Sequence, residues 1–589
     1  MIKTFNKLTF LIENKLKINL YLIYIITVIG TFLETMGIGI ILPLLTIIVD
    51  GKEVINNFNS SLPVISSLLN FLKLKEYDEL IIFLLSIVIL VFLVKTCFFF
   101  FLINKQIKFA HLIESNLAKK FFNHYLKQNY SFHLSKNSSK LLSNITEEIK
   151  NFRLNLVEPF LVISTEIILL LAIITLLIMI EPEATISVSV ILMIISYFYI
   201  NFAKVRISLI AKKRQIHEAL KIQHLKQGLN GIKEVKISGK EDAFLKIFHK
   251  HNLETVNSRA KLALWTTIPR YLLEFIGVSG ICLLSILMVN KGVDLRSLLP
   301  TIGVFVVATF RLLPSAVRIV QASGKIRYGT PSANLLKEEI ENSTYVKNFK
   351  DFKFSKNNFE KNSYIFESLK FNQVSFKYPN TERFIIKNLN LEINKGDKIG
   401  IIGPSGSGKS TFIDILTGLV KPTIGETILN NERSKINEKK FFSIIGYTPQ
   451  FIFLTDDTII NNIAFGEDPD KLNVDQVKKS IKIAQLEDFI SNSSEGLKTK
   501  IGEFGVRLSG GQRQRIGIAR ALYFQPQILI LDESTSAVDF PTEEIIMKNI
   551  NKLKDKTIII VSHRLSSLKD CNKIFEIKNG TIEKLNLRK

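Results

Sequence analysis

The stretch KIGIIGPSGSGKST, Lys398 to Thr411, decides how this chain is read. KIGII has the composition of a buried strand, and the glycine-rich turn after it opens into a helix. Its core, Gly403-Pro404-Ser405-Gly406-Ser407-Gly408-Lys409-Ser410, fits the phosphate loop G-x-x-x-x-G-K-[ST]. Glycines let backbone wrap closely around an anion, and a helix N-terminus aims its free N–H groups at phosphate. Lys409 is suited to neutralise β- and γ-phosphates and Ser410 to ligate Mg²⁺. ATP with Mg²⁺ is therefore the expected cofactor pair, held between Gly403 and Thr411.

A second stretch downstream strengthens the first. ILILDE, Ile528 to Glu533, is four apolar residues ending in two acids. Such a run reads as a fully buried strand, and its C-terminal edge is where ligands bind in open α/β sheets. Asp532 is expected in the Mg²⁺ shell, with Glu533 polarising the attacking water. Around these motifs, short β-rich runs (KIGIIG, FSIIGYTPQ, ILILDES, TIIIVSH) alternate with amphipathic helices. That alternation predicts a parallel-sheet α/β domain over 364–589. The polar, charged stretch at 341–363 is the expected linker before it.

The N-terminal part, 1–340, has a different character. Of the 589 residues 47% are hydrophobic, and apolar runs recur at roughly 18–49, 80–103, 154–180, 184–202, 268–289 and 298–320. A bilayer core of roughly 30 Å takes about 20 helical residues, so a six-span membrane domain is expected. The run from Ile18 is too long for a signal peptide and reads as a retained first helix. The segments between spans at 104–153 and 203–267 are long and rich in Lys and Arg, whereas the turn EPEA after Ile180 has no base. Positive charge marks the long segments, and with them both chain ends, as cytoplasmic. Their helical apolar period predicts spans that continue well into the cytoplasm, with NYSFHLSKNSS (129–139) and NGIKEVKISGKED (230–242) as the turns. SLPVISSLLNFLK (61–73) is compatible with a short outer interfacial helix or a plain loop. The net charge of +24 belongs with a membrane surface rather than with nucleic acid. Cys97, Cys282 and Cys571 have no metal or disulfide spacing and read as buried thiols.

A third motif makes the reading specific. LSGGQRQR, Leu508 to Arg515, lies between the phosphate loop and ILILDE, and resembles the signature of ABC-type ATPases. The resemblance covers the whole C-terminal domain and implies an ABC ATPase fold. It implies that Tyr378 in FKYP stacks on adenine and that Gln450 in GYTPQ touches Mg²⁺ and senses the membrane domain. It further implies that His563 in IVSHR reaches the γ-phosphate. Ser534 to Asp539 resembles the family's dimer-contacting loop, and IGEFG with Glu503 is similar to exporters rather than importers. Ser509, Gly510, Gly511 and Gln512 are implied to complete the ATP site of an opposite subunit at a second helix N-terminus. With one membrane domain and one ATPase domain per chain, the resemblance implies a homodimer. Six spans exclude a soluble ABC ATPase, and the intact Glu533, His563 and LSGGQ argue against an ATP-gated channel or a regulatory subunit with a degenerate site.

The cargo has to be read from charges among the spans: Glu34, Glu166, Arg270, Glu274, Arg311 and Arg318. Arg270 and Glu274 are one turn apart and suit either an internal ion pair or a cavity. Arg311 and Arg318 share a helical face about 10 Å apart along the axis, with no acid between them. They are expected to be unpaired and suited to phosphate or pyrophosphate; headgroup snorkelling is the alternative. IPRYLLEFIG and ATFRLLPSAVRI resemble the bacterial lipid-linked oligosaccharide flippases of protein N-glycosylation. That resemblance implies that Arg270, Arg311 and Arg318 line a cavity for a polyprenyl-pyrophosphate glycan in the bacterial inner membrane. Another amphipathic lipid, a peptide or a drug stays open as cargo.

Overall fold

The computed structural model describes residues 10–12, 14–40, 77–180, 182–290, 295–341, 365–379, 381–430, 441–553 and 555–585. The chain divides into two units, Met1–Gln128 with Lys136–Lys353, and Asn129–Ser135 with Phe354–Lys589. All the described elements of the first are helices. It comprises α1 (Asn14–Gly39), α2 (Tyr77–Leu126), a helical run from Ser138 with π-turns at Asn144–Glu148 and Arg153–Val157, and α4 (Glu158–Ile180). It continues with α5 (Pro182–Asn230), α6 (Ile232–Ser238), α7 (Glu241–Asn290) and α8 (Leu295–Glu341). The short α3 (Tyr130–Ser135), inside the first expected turn, groups with the second unit. There burial, with Asp414 and Tyr378 nearby, raises the Tyr130 hydroxyl pKa.

Four stretches of described helix are long and apolar enough to cross a membrane: Leu16–Gly37, Ile81–Leu126, Ser138–Met179 and Ser189–Asn230. The remaining expected spans, 268–289 and 298–320, fall inside α7 and α8. The last part of the first span, the outer segment at 61–73 and nearly all of the expected linker lie outside the described residues. At 49 and 50 residues, α5 and α7 run far beyond their apolar stretches. A rise of 1.5 Å per residue makes each about 75 Å long. The two expected turns contain α3 and α6, each a helix of two turns or less.

Long polar helices pack together only if their buried charges are paired. Arg214 of α5 is fully buried; its guanidinium donates to both oxygens of Glu148 at 3.0 and 3.1 Å and to the Ser332 hydroxyl at 3.0 Å. This ties α5, the first π-turn and α8 at one point. Among the apolar segments, Lys95 of α2 donates to buried Glu34 of α1 at 2.9 Å. α8 passes so close to the Asn155 carbonyl that a Cβ at Gly329 would stand 2.6 Å from its oxygen. Cys97 and Cys282 are exposed on their helices rather than buried, and Cys571 is only partly buried.

Pro269 sits inside α7 and has no N–H to give the Trp265 carbonyl four residues earlier. The Tyr199 hydroxyl of α5 takes that place, donating to the Trp265 oxygen at 2.6 Å. Tyr199→Phe removes this donor with no change in apolar shape. It is expected to destabilise the helical unit by about 1 kcal/mol. Thermal unfolding in detergent reads the change, and an unshifted midpoint would show the carbonyl to be satisfied otherwise.

The second unit is built on two sheets. β1 (Ser368–Phe376), β2 (Ile386–Asn394) and β4 (Ile424–Leu429) form an antiparallel sheet in the order β2-β1-β4. Its strands mix buried and exposed positions and so lack the continuous apolar runs that mark the parallel strands. The larger sheet has the order β5-β6-β7-β3-β8-β9. Its strands are β3 (Lys398–Ile402), β5 (Ile445–Thr448), β6 (Ile528–Asp532), β7 (Thr557–Val561), β8 (Lys573–Lys578) and β9 (Thr581–Leu585). It is parallel from β5 to β8 and antiparallel at β9. β6 and β7 are buried at every residue, which is why both are unbroken apolar runs. In this order the C-terminal ends of β5, β6, β7 and β3 lie side by side.

Candidate functional site

Each of those four strand ends delivers one predicted element. After β3 the phosphate loop turns through Gly403 (φ 153°), Gly406 (φ 76°) and Gly408 (φ 108°) into α9 (Lys409–Leu416). A Cβ at Gly403 would stand 2.4 Å from the Ile577 carbonyl oxygen, so this position admits only glycine. Ser405 and Gly406 are exposed at the tip, and Ser410 is exposed at the start of α9. The Lys409 ammonium donates to the carbonyls of Gly403 and Pro404 at 2.9 and 3.0 Å. The buried Ser407 hydroxyl has no hydrogen-bond partner among the described residues. A cradle with a free buried hydroxyl, a lysine resting on loop carbonyls and an open helix start fits a nucleotide phosphate. The Tyr378 hydroxyl lies 3.1 Å from that of Thr411, joining the expected base-stacking residue to α9.

Glu533 stands at the centre of the adjoining strand ends. Its Oε2 accepts from the Gln450 amide at 2.7 Å, and its Oε1 lies 3.0 Å from His563 Nε2. Its backbone is left-handed (φ 47°) and its N–H donates to the Val561 carbonyl at 2.9 Å. A non-glycine residue held there stores strain, on the order of 1–3 kcal/mol, which the flanking strands β6 and β7 sustain. Asp532 beside it is pushed up to about 6 by burial and then by Glu533, with Tyr447 and Lys409 opposing the rise. Burial, and then Asp532, also pushes Asp414 of α9 up to about 6. The hydroxyl, carboxylate and amide oxygens of Ser410, Asp532 and Gln450 are hard donors of the kind Mg²⁺ takes.

The signature residues group instead around the loop after β6. Ser509 caps α10 (Gly510–Tyr523): its hydroxyl accepts from Gln512 N at 3.2 Å while the Gln512 side chain accepts from Ser509 N at 2.8 Å. A Cβ at Gly511 would stand 2.9 Å from the Ala537 carbonyl oxygen, so this glycine lets the loop pass. Gln514, which sequence reasoning did not single out, fastens that loop. It donates to the Ser536 hydroxyl at 2.9 Å and accepts from Ala537 N at 2.8 Å. Its spacing from the motif carried no signal; only the fold brings it to the loop.

The membrane arginines require a correction. Arg318, expected to be unpaired, meets Glu166 of α4: Nε lies 2.5 Å from Oε1, and a terminal nitrogen donates to Oε2 at 3.2 Å. Helical spacing sees only acids of the same helix, and this one is 152 residues away in sequence. Arg270 pairs with Glu274 at 2.7 Å, the one-turn ion pair that its spacing allowed. Arg311 is described only as a helical position of α8.

A family model for the ABC transporter matches residues 386–536, and one for the ABC transporter transmembrane region matches residues 20–312. An alpha-hemolysin translocation ATP-binding protein of Escherichia coli O157:H7 is 42% identical over 216 residues, 36% of this chain and 30% of that protein. An ATP-dependent lipid A-core flippase of Desulfotalea psychrophila is 32% identical over 368 residues, 61% of each. The chain thus spans less than two thirds of either relative's length. A solved bacterial Atm1-family ABC exporter with ATP bound superposes with a TM-score of 0.76, over 97% of this chain and 94% of that one, at 20% identity; this likeness concerns the fold. With the phosphate loop, the acidic pair and the signature helix in one α/β domain after a helical membrane unit, the chain belongs to the ABC transporters, with transmembrane region and ATPase fused.

Proposed function

We propose that two copies of this chain form an exporter that couples ATP hydrolysis to flipping a lipid-linked oligosaccharide across a bacterial inner membrane. The six spans carry the cargo, and both termini and the ATPase domain face the cytoplasm. Each ATP lies between the phosphate loop of one copy and Ser509–Gln512 of the other, with Mg²⁺ at Ser410, Asp532 and Gln450. Glu533 polarises the attacking water, and His563 reaches the γ-phosphate. The carboxylate of Glu533 held between Gln450 and His563 carries the hydrolytic part of this reading.

The cargo part rests on Arg318. Its guanidinium is ion-paired with Glu166, a terminal nitrogen donating to it, yet it stays 40% exposed and its planar fork also fits a phosphate. A lipid pyrophosphate competes with Glu166 for that fork, with Arg270 and Arg311 adding positive charge. The name of the lipid A-core flippase supports an amphipathic lipid as the class of cargo. The test is reconstitution in vesicles with a polyprenyl-pyrophosphate glycan, lipid A-core, or neither. Stimulated ATP hydrolysis and translocation with the pyrophosphate glycan alone are expected. Stimulation by lipid A-core alone would move the cargo to that lipid.

A further inference from the structure

Glu543 lies in the first turn of α11 (Phe540–Asn551), just past the loop that follows the acidic pair, and is 3% exposed. Its Oε1 accepts from the Thr535 hydroxyl at 2.8 Å and the Ser567 hydroxyl at 2.7 Å. Its Oε2 accepts from the Arg564 guanidinium at 2.5 Å. Arg564 reaches onward, donating to the Ser536 carbonyl at 3.0 Å. One buried carboxylate thus holds two loops, the 534–539 segment through Thr535 and the 562–567 segment through Arg564 and Ser567. His563 sits between two pinned neighbours. Ser562 N donates to the Ile401 carbonyl at 3.2 Å, and Arg564 N donates to the Ser562 hydroxyl at 2.9 Å. The direction in which His563 points is therefore set by where Arg564 is held.

We infer that Glu543 is a positioning residue for hydrolysis: through Arg564 it keeps His563 against Glu533, and through Thr535 it links that placement to the 534–539 loop. The inference rests on the hydrolytic roles given above to Glu533 and His563. A carboxylate suits the task because a single group accepts three hydrogen bonds, and charge-assisted bonds are the shorter and stronger kind. A buried glutamate that served packing alone would need only to be neutralised. This one bonds both loops that border the nucleotide site, Oε1 accepting from one hydroxyl of each and Oε2 from Arg564. If the 534–539 loop shifts when a second copy approaches, Thr535 and Ser536 transmit that shift to the histidine through two side chains.

The experiment uses the full-length protein reconstituted in lipid, with ATP turnover and nucleotide binding measured separately. Glu543→Gln keeps shape and two acceptor bonds but loses the charge toward Arg564. Its kcat is expected to fall at least about tenfold while the KM for ATP moves less than about threefold, because ground-state binding is untouched. Thr535→Val keeps volume and removes only the bond from the loop; it is expected to lower kcat severalfold with the KM for ATP and the fold intact. Glu533→Gln serves as a reference. If it abolishes hydrolysis while both other variants turn over as the wild type does, this inference is overturned and the hydrolytic roles stand. If Glu533→Gln retains hydrolysis, the hydrolytic roles fail first. Should Glu543→Gln not fold, Thr535→Val decides: an unchanged kcat overturns the inference.

Discussion

Glu533→Gln is expected to bind ATP as the wild type does and to hydrolyse it about 10²–10⁴-fold more slowly, the range by which a positioned general base accelerates a reaction. Binding survives because the cradle from Gly403 to Thr411 and the Lys409 ammonium are built on other strands. The amide still accepts from Gln450, so the loop geometry has a reason to persist. What it lacks is the negative charge that draws a proton from water. ATPase rate against nucleotide affinity is the measurement. Turnover near the wild-type rate would remove Glu533 from the role and turn attention to His563.

Arg318→Leu is expected to have the second large effect, and on two separate readouts. Removing the arginine leaves the Glu166 carboxylate, 11% exposed, without its guanidinium in an apolar setting. Breaking such a pair destabilises by about 3 kcal/mol, the lower end of the usual range because Arg318 is partly exposed. Adding Glu166→Gln neutralises the stranded acid and should restore most of the thermal stability in detergent. Translocation of a pyrophosphate-linked lipid should stay low in the double variant while ATP hydrolysis continues. Arg318→Lys should recover the pair only partly, since an ammonium lacks the planar fork. A single variant as stable as the wild type would mean that Glu166 is satisfied without Arg318. Transport retained in the double variant would remove Arg318 from the cargo path.

The sequence was most legible where chemistry is local. The phosphate loop, the acidic pair and the capped signature helix are contiguous runs whose function dictates their spelling, and each folds as its run suggests. Glycines were readable for the same reason, because a left-handed turn such as that at Gly403 leaves no alternative residue. Partners that meet across the fold were not readable. Glu166 and Arg318, Glu543 and Arg564, and Gln514 with the 534–539 loop are joined by packing between elements. No spacing rule reports such pairs. The antiparallel β1, β2 and β4 escaped for a different reason: their half-exposed strands mix polar and apolar residues, and so lack the continuous apolar runs that marked the parallel sheet.

The tyrosine that answers for Pro269 has a mechanical consequence. A continuous helix resists bending because the bend must stretch several backbone bonds at once. In α7 the proline has removed one of them, and a phenol on a neighbouring helix supplies its substitute. A tether of about 1 kcal/mol is less than twice the thermal energy of about 0.6 kcal/mol, so thermal motion alone slips it in a sizeable fraction of molecules. The two arms of α7 then behave as levers on one pin, and the pin belongs to α5. Arg270 is the next residue along, so any swing of the joint carries the arginine with it.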